Sequence, residues 1–334
     1  MNGRSSIDDL LEGIAGGRAL ALSRAISLVE NQRPGFERLL HDLHGRLGGA
    51  RRIGITGPPG AGKSTLTAAL ARRFREAGET VGILAVDPSS PFTGGALLGD
   101  RIRMNDLATE EGIFIRSMAT RGSHGGLSAT TREATDLLDA FGFDRILLET
   151  VGVGQSELKI ASQADSTVVV LVPESGDGIQ AMKAGLMEVA DLFVINKADR
   201  PGADRLRKEI RIVLHLREGG GGPRGQPEDG WSPPILTTVA SEGEGVEALA
   251  EGLDRHHSHL AESGELEARR RAAALEHTRA VLERTATRWA ADAWSRALEV
   301  DRDPLAGGAS PYEAARRIAA RIRPDTVDGR TPAD

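Results

Sequence analysis

The chain of 334 residues carries 42 Lys and Arg against 48 Asp and Glu, a formal net charge of −6 at pH 7. With 3% aromatic residues and no basic excess, it lacks the electrostatic footprint and the base-stacking rings of a nucleic-acid binder. It has no cysteine, which excludes disulfides, thiolate zinc sites, iron–sulfur clusters and cysteine nucleophiles together and fits a reducing compartment.

At about 150 residues per domain, the length corresponds to two domains or to one large domain with appendages. Asp8, Asp9 and Glu12 break any apolar leader near the start. No stretch approaches about 18 consecutive apolar residues, so no membrane span is expected and the cytoplasm is the expected setting.

The first fifty residues read as helical. Ser6 precedes Ile7, Leu10, Leu11 and Ile14 at helical spacing, with acids in the first turn. Leu20, Leu22, Ile26 and Val29 continue a second helix that Asn31 and Pro34 end. Phe36, Leu39, Leu40, Leu43 and Leu47 predict a third, stopped by Gly48 and Gly49. From Arg51 the pattern changes to short apolar runs alternating with longer amphipathic stretches. The runs are Ile53–Thr56, Val81–Val86, Ile113–Ser117, Arg145–Glu149, Thr167–Val172, Leu192–Asn196 and Ile235–Val239. Such runs with helices between them predict an α/β fold, a mostly parallel sheet covered on both faces. Residues 217–234, with Gly219 to Gly222 in succession, read as a loop. Beyond about residue 257 the chain is charged and helical again: Leu260 to Val300 is rich in Ala, Glu, Arg and Leu, Pro304 and a Gly-Gly pair interrupt it, and a last helix is expected over about Tyr312 to Ile322. The expected organisation is a helical extension over 1–49, an α/β domain over 50–256 and a helical arm and tail over 257–334.

The strongest chemical signal is Gly57-Pro58-Pro59-Gly60-Ala61-Gly62-Lys63-Ser64-Thr65, which matches G-x-x-x-x-G-K-[ST] between a predicted strand and a predicted helix. The glycines let the backbone wrap a phosphate with its N–H groups inward, and the helix N-terminus adds positive partial charge. Lys63 is placed to reach the β- and γ-phosphates and Ser64 to ligate Mg²⁺. About 130 residues later a strand runs into Asn196-Lys197-Ala198-Asp199. At the carboxyl end of a strand this is where a nucleotide base would lie. Asp199 can accept hydrogen bonds from the guanine ring N–H and exocyclic amine, whereas adenine would leave it unpaired. The Lys197 stem can lie over the ring, and Asn196 is expected to tie this loop to the phosphate loop. Val239-Ala240-Ser241 can offer a backbone N–H to the guanine oxygen. The nucleotide expected is GTP, released as GDP, in preference to ATP.

Three acids stand at or just past strand ends: Asp87, Asp100 and Glu149. Mg²⁺ keeps several waters and takes few direct protein ligands, so some of the three are expected to act through water. For Asp100 an N-cap ahead of Arg101–Leu107 competes with a metal role. Glu149-x-x-Gly152 stands where ordinary GTPases carry Asp-x-x-Gly, and Gly152 N–H is placed to sense the γ-phosphate. Gln155 is a candidate to orient the attacking water. A strong catalytic residue is not evident, which points to slow intrinsic hydrolysis accelerated by a partner.

With these motifs assembled, the chain resembles the MeaB/ArgK family of P-loop GTPases, the chaperones of adenosylcobalamin-dependent acyl-CoA mutases such as methylmalonyl-CoA mutase. The matching stretches are Gly57–Thr65, Val86–Met104, Ser117–Gly122, Glu149–Glu157 and Asn196–Asp199, within about residues 7 to 256. The resemblance implies a GTPase domain between a helical extension and a helical homodimerisation arm, with Asp87, Asp100 and Glu149 in Mg²⁺ and switch roles. It also implies a mobile loop from about Pro173 to Lys183, Lys183 being the residue that couples nucleotide state to the mutase. From its own surroundings in sequence, Lys183 reads only as a solvated helix lysine. Two features depart from the family pattern, the pair Ser123-His124 and the long glycine-rich stretch at 217–227, and both concern the partner surface. A nickel-enzyme metallochaperone GTPase is the alternative; it would need a thiolate or clustered-histidine site, and the chain has no cysteine. An ATP-driven transport accessory or kinase is argued against by Asn196–Asp199. His256, His257 and His259 lie near the expected helix junction without acids at fixed spacing, so a metal site is not expected there. Trp231 is expected to pack over the sheet edge.

Overall fold

A computed structural model describes residues 6–88, 107–120, 129–150, 162–173, 185–219, 230–301 and 303–320. Seven strands form one sheet: β1 (Arg51–Thr56), β2 (Val81–Pro88), β3 (Ile113–Thr120), β4 (Arg145–Thr150), β5 (Ser166–Leu171), β6 (Leu192–Asn196) and β7 (Ile235–Thr238). Their order is β3-β2-β4-β1-β5-β6-β7, and every neighbouring pair is parallel. Each predicted run is a strand: β6 has the expected bounds, β3 runs three residues past Ser117 to Thr120, and the others differ by one or two residues at an end. All residues of β4, β5 and β6 are buried, as expected of strands covered on both faces.

Alternation along the strands sorts the core into layers. On one face Ile53, Ile55, Ile83, Leu147 and Val168 pack with Leu66 and Leu70 of α4 (Lys63–Glu76) and Leu249 and Leu253 of α8 (Val246–Ser263). On the other face Leu84, Val86, Ile146 and Leu148 pack under the N-terminal helices α1 (Ile7–Ala15), α2 (Ala19–Glu30) and α3 (Phe36–Leu43) together with α5 (Ala129–Phe141). Farther along this face Val169, Leu171, Phe193 and Ile195 meet α6 (Leu186–Val189) and α7 (Ala203–Gly219). Ser6 caps α1 in a reciprocal pair with Asp9, one of the acids of the first turn. The third helix is shorter than its apolar spacing predicts. It ends at Leu43 and a tight turn over His44–Arg46 follows. The cause lies in the amides of Gly48, Gly49 and Ala50, all of which donate to the Asp139 carboxylate at 3.0–3.1 Å and draw the chain into β1.

The amino edge of the sheet is organised by aspartates. Asp144 accepts from the Thr80 amide and hydroxyl, both at 2.7 Å, Asp165 from the Arg52 amide at 2.9 Å and Asp191 from the Thr167 amide at 2.8 Å. Each carboxylate thus satisfies an amide that enters the adjoining strand. Arg52 is buried and forms ion pairs with Asp139 at 2.7 Å and Asp136 at 2.8 Å. Burial alone would raise Asp139, but the Arg52 charge and hydrogen bond and the amides of Ala50 and Gly48 hold its carboxyl below the usual range.

The Gly264 backbone, at φ +76°, ends α8 and separates it from α9 (Glu265–Asp301). The helix junction expected near residue 257 therefore lies several residues later, and the three histidines sit inside α8. His256 is buried, its Nδ1 2.7 Å from Ser166 Oγ and its Nε2 3.3 Å from Asp191. Trp231 packs on its ring and donates to the Asp191 carbonyl at 2.7 Å, close to the expected place. Burial opposes ionisation of Asp191, and the hydrogen bond and charge of His256, with Arg269, override it and lower its pKa. Arg270 of α9 grips Asp165 at 2.7 and 2.8 Å and caps the carbonyls of Gly48 and Ala50.

The chain forms two compact units that divide between Ala273 and Ala274. In the second, Ala293 and Ala297 of α9 pack with Ile318 of α10 (Pro311–Ala319), while Leu275, Leu282, Trp294, Leu298 and Tyr312 are exposed.

Asp139→Asn removes a buried charge partner of Arg52 and should cost about 3 kcal/mol, lowering the melting temperature by roughly 5–10 °C at neutral pH. Because the folded carboxyl sits below its unfolded value, its stabilisation is present above the ordinary carboxylate range and is lost as pH falls through the folded value. The gap between wild type and variant should therefore narrow on acidification, measured by calorimetry between neutral pH and pH of about 3.

Candidate functional site

The carboxyl ends of the strands share one edge, and the candidate residues gather there. β1 ends at Thr56, the loop turns at once, and α4 begins at Lys63. The turn depends on glycine. Gly57 has φ +139°, and a side chain there would overlap the Val170 carbonyl of β5. Gly62 has φ +84°, and a side chain there would strike the Asn196 amide. Because α4 starts inside the loop, its unpaired N-terminal amides belong to the loop wall. Pro58, Ala61, Lys63 and Ser64 are buried, whereas Pro59, Gly60 and Thr65 are exposed. Lys63 Nζ donates to the carbonyls of Gly57 at 2.9 Å and Pro58 at 3.0 Å, so its charge is held over the loop. Ser64 Oγ donates to Glu149 Oε1 at 2.5 Å. Glu149 is buried one residue from the end of β4, facing α4.

Asn196 ends β6, and its side chain is bonded on both sides. Its Nδ2 donates to the Ala61 carbonyl at 2.9 Å, the tie expected from the sequence. Its Oδ1 accepts from Thr238 Oγ1 and from the Ala240 amide, both at 3.1 Å. Lys197 takes a positive φ of 56° and sends Nζ to the Gly60 carbonyl at 2.9 Å, over the phosphate loop. The Ala198 amide donates to Thr238 O at 3.1 Å, and Asp199 is exposed in the turn that follows. The Val239 amide bonds to Glu244 O, and Ala240's goes to Asn196. Of Val239-Ala240-Ser241, Ser241 is the one whose amide has no hydrogen-bond partner among the described residues.

Phosphate loop, Glu149 and both base-side loops are thus brought together. The backbone of Asp87 lies two strands from β1, next to Val86, which pairs with Thr150 of β4. The Asp87 side chain and all of Asp100, His124, Gly152, Gln155, Lys183 and the Arg101–Asp106 stretch lie outside the described residues. Thr238 was not singled out from the sequence, although it joins Asn196 and Ala198. Its only signal is its place immediately before Val239-Ala240-Ser241.

A glycine loop that opens a helix beside a buried strand-end carboxylate, laced through one asparagine to an N-K-x-D turn, makes the chain a P-loop GTPase. It belongs to the family described as "Methylmalonyl Co-A mutase-associated GTPase MeaB", whose sequence model matches residues 22–293. It is 44% identical to a putative GTPase of Pyrococcus horikoshii over 95% of this chain and 98% of that one. It is also 36% identical to the mouse protein named methylmalonic aciduria type A homolog, mitochondrial, over 79% of this chain and 66% of that one. Among solved structures, a LAO/AO transport system kinase superposes with a TM-score of 0.67 at 28% identity, covering 96% of this chain and 98% of that one. Among the described residues no helix is long and apolar enough to cross a membrane.

Asn196→Ala should leave the Ala61 carbonyl, the Thr238 hydroxyl and the Ala240 amide without their partner, a cost of about 2 kcal/mol. Thermal melting and titration with a fluorescent guanine nucleotide should show lowered stability and weakened affinity together, since both loops lose their common tie.

Proposed function

We propose that this GTPase uses its nucleotide cycle to gate adenosylcobalamin loading or protection of an acyl-CoA mutase such as methylmalonyl-CoA mutase. The observation that supports it most is membership of a mutase-associated family over residues 22–293, joined to a phosphate loop, Glu149 and an Asn196–Asp199 turn that share one end of the sheet. In this reading Gly57 to Thr65 wrap the phosphates with backbone N–H groups. Lys63 transfers its donors from the loop carbonyls to the β- and γ-phosphates. Asp199 pairs with the guanine edge, the Lys197 stem covers the ring, and Ser241 N–H meets the guanine oxygen. Asn196 and Ala198 hold this loop in place.

The donor set fits Mg²⁺: a hydroxyl and a carboxylate already in contact, at the mouth of a phosphate loop. Ser64 and Glu149 would hold the ion, with Asp87 and Asp100 contributing directly or through water. When bound, Mg²⁺ neutralises charge that develops on the phosphates. Without an evident strong base in the described residues, intrinsic hydrolysis is slow and the partner accelerates it, with Lys183 coupling the two. The reading places the GTPase domain at 50–256, between a helical extension at 1–49 and an arm at 257–334, in a cytoplasmic homodimer. The exposed Leu275, Leu282, Trp294 and Leu298 of α9 favour a second copy as the occupant of the arm.

Two measurements test this. Asp199→Asn should cut the preference for GTP over ITP, which lacks the exocyclic amine, by about tenfold in competition binding. An unchanged ratio would remove Asp199 from base reading. With purified adenosylcobalamin-dependent mutase, co-elution should differ between the GDP-bound chain and the chain bound to a non-hydrolysable GTP analogue, and mutase should raise the GTPase rate. If nucleotide state alters neither association nor cofactor loading, the chaperone reading is wrong.

A further inference from the structure

We infer that Thr150 is a positioning residue of the GTPase reaction, its hydroxyl holding the Glu149 strand end against the root of the phosphate loop. β4 ends Glu149-Thr150, and the two side chains point to opposite faces of the sheet. Glu149 faces α4 and meets Ser64, whereas Thr150 shares the face of Leu148 and Ile146. The β1–β4 ladder runs as far as Ile55 opposite Glu149. One step farther, Thr150 Oγ1 donates to Thr56 Oγ1 at 3.2 Å. Both residues are buried, at 2% and 0% exposure. Thr56 is the last residue before Gly57. On its other side Thr150 pairs with Val86, the residue before Asp87. Thr150 therefore sits where three strand ends meet, those carrying the phosphate loop, Asp87 and Glu149.

Packing requires only the branched shape at this position, and valine would supply it. A pair of buried hydroxyls bonded to each other adds direction. That bond ties the end of β4 to β1 after the ladder has stopped, and so fixes the height of Glu149 beside Ser64. The phosphate loop keeps its own supports, Val170 behind Gly57 and Asn196 behind Ala61. Loss of the Thr150 hydroxyl should accordingly disturb turnover and metal use more than nucleotide binding.

The inference rests on the GTPase reading of the same site, and the test separates the two. Full-length wild type, Thr150→Val, Thr150→Ser, Thr56→Val and the double Thr56→Val/Thr150→Val are compared. The readouts are kcat and KM for GTP, the Mg²⁺ concentration giving half the maximal rate, affinity for a fluorescent GDP analogue, and melting temperature. Thr150→Val should lower kcat by about tenfold and raise the half-saturating Mg²⁺ several-fold, with KM and GDP affinity within about twofold of wild type. Thr150→Ser should restore both. Thr56→Val should act in the same direction, and the double variant should be no slower than the slower single one. The inference is overturned if Thr150→Val keeps kcat and Mg²⁺ dependence within about twofold while wild type turns over GTP, or if Thr150→Ser is as slow as Thr150→Val. It is equally overturned if GDP affinity falls in step with kcat, the mark of general loosening. A wild-type chain that binds GTP without hydrolysing it would sink the GTPase reading and this inference together.

Discussion

Because all seven strands run parallel, every strand begins at one edge of the sheet and ends at the other. A parallel ladder can be built only through crossovers, so helices must cover both faces and the strands must be apolar throughout. The same constraint separates two kinds of polar chemistry. Chain entering the sheet brings amides that need acceptors, and chain leaving it brings loops whose amides and side chains point past the sheet. Aspartates collect at the first edge and the phosphate loop, Glu149 and Asn196 at the second.

At the amino edge the carboxylates are spoken for by backbone amides and by arginines. Asp139 binds three successive amides and Arg52, and Asp165 and Asp191 each bind one amide and one arginine from the first turns of α9. Such groups are costly to break one at a time and contribute rigidity more than net stability. The carboxyl edge is assembled differently. Among the described residues its ties are hydrogen bonds of hydroxyls, the Asn196 side chain, lysine amines and backbone amides, and several of them join one loop to another. Asn196 is the clearest instance, with Ala61 on one side and Thr238 and Ala240 on the other. Shifting any of these loops shifts the others, which is the behaviour a nucleotide-sensing edge requires.

The strands were legible in the sequence because doubly buried parallel strands must be short unbroken aliphatic runs, a pattern few other elements share. The phosphate loop was legible because it needs glycine where Val170 and Asn196 press against the backbone. The tie from Asn196 to the loop followed from the same spacing. What escaped the sequence was set by residues far apart along the chain. The early end of α3 is caused by Asp139, about ninety residues away. The run of histidines gave no break in α8, because His256 found Ser166, Asp191 and Trp231 inside the core and the helix continued to the next glycine, Gly264 at positive φ. Thr238 lay outside every motif and Thr150 filled an unspecified place in Glu149-x-x-Gly152, since a threonine in a strand is ordinary until its register is known.

Register also explains how neighbouring residues of one strand divide the work. Glu149 and Thr150 are adjacent, yet the strand's two-residue period sends one toward α4 and Ser64 and the other toward the opposite face. The acid meets the nucleotide chemistry, and the hydroxyl meets the strand that starts the phosphate loop. A one-residue slip of β4 would exchange them, burying a carboxylate among Leu148's neighbours and leaving Ser64 beside a threonine. The slip is prevented at the far end of the same strand, where the buried Arg145 is paired with Glu79 and Asp254 and lies over the ring of Phe74. Placement of the acid at the carboxyl edge is thus linked to an ion pair at the amino edge, four residues back along the same strand.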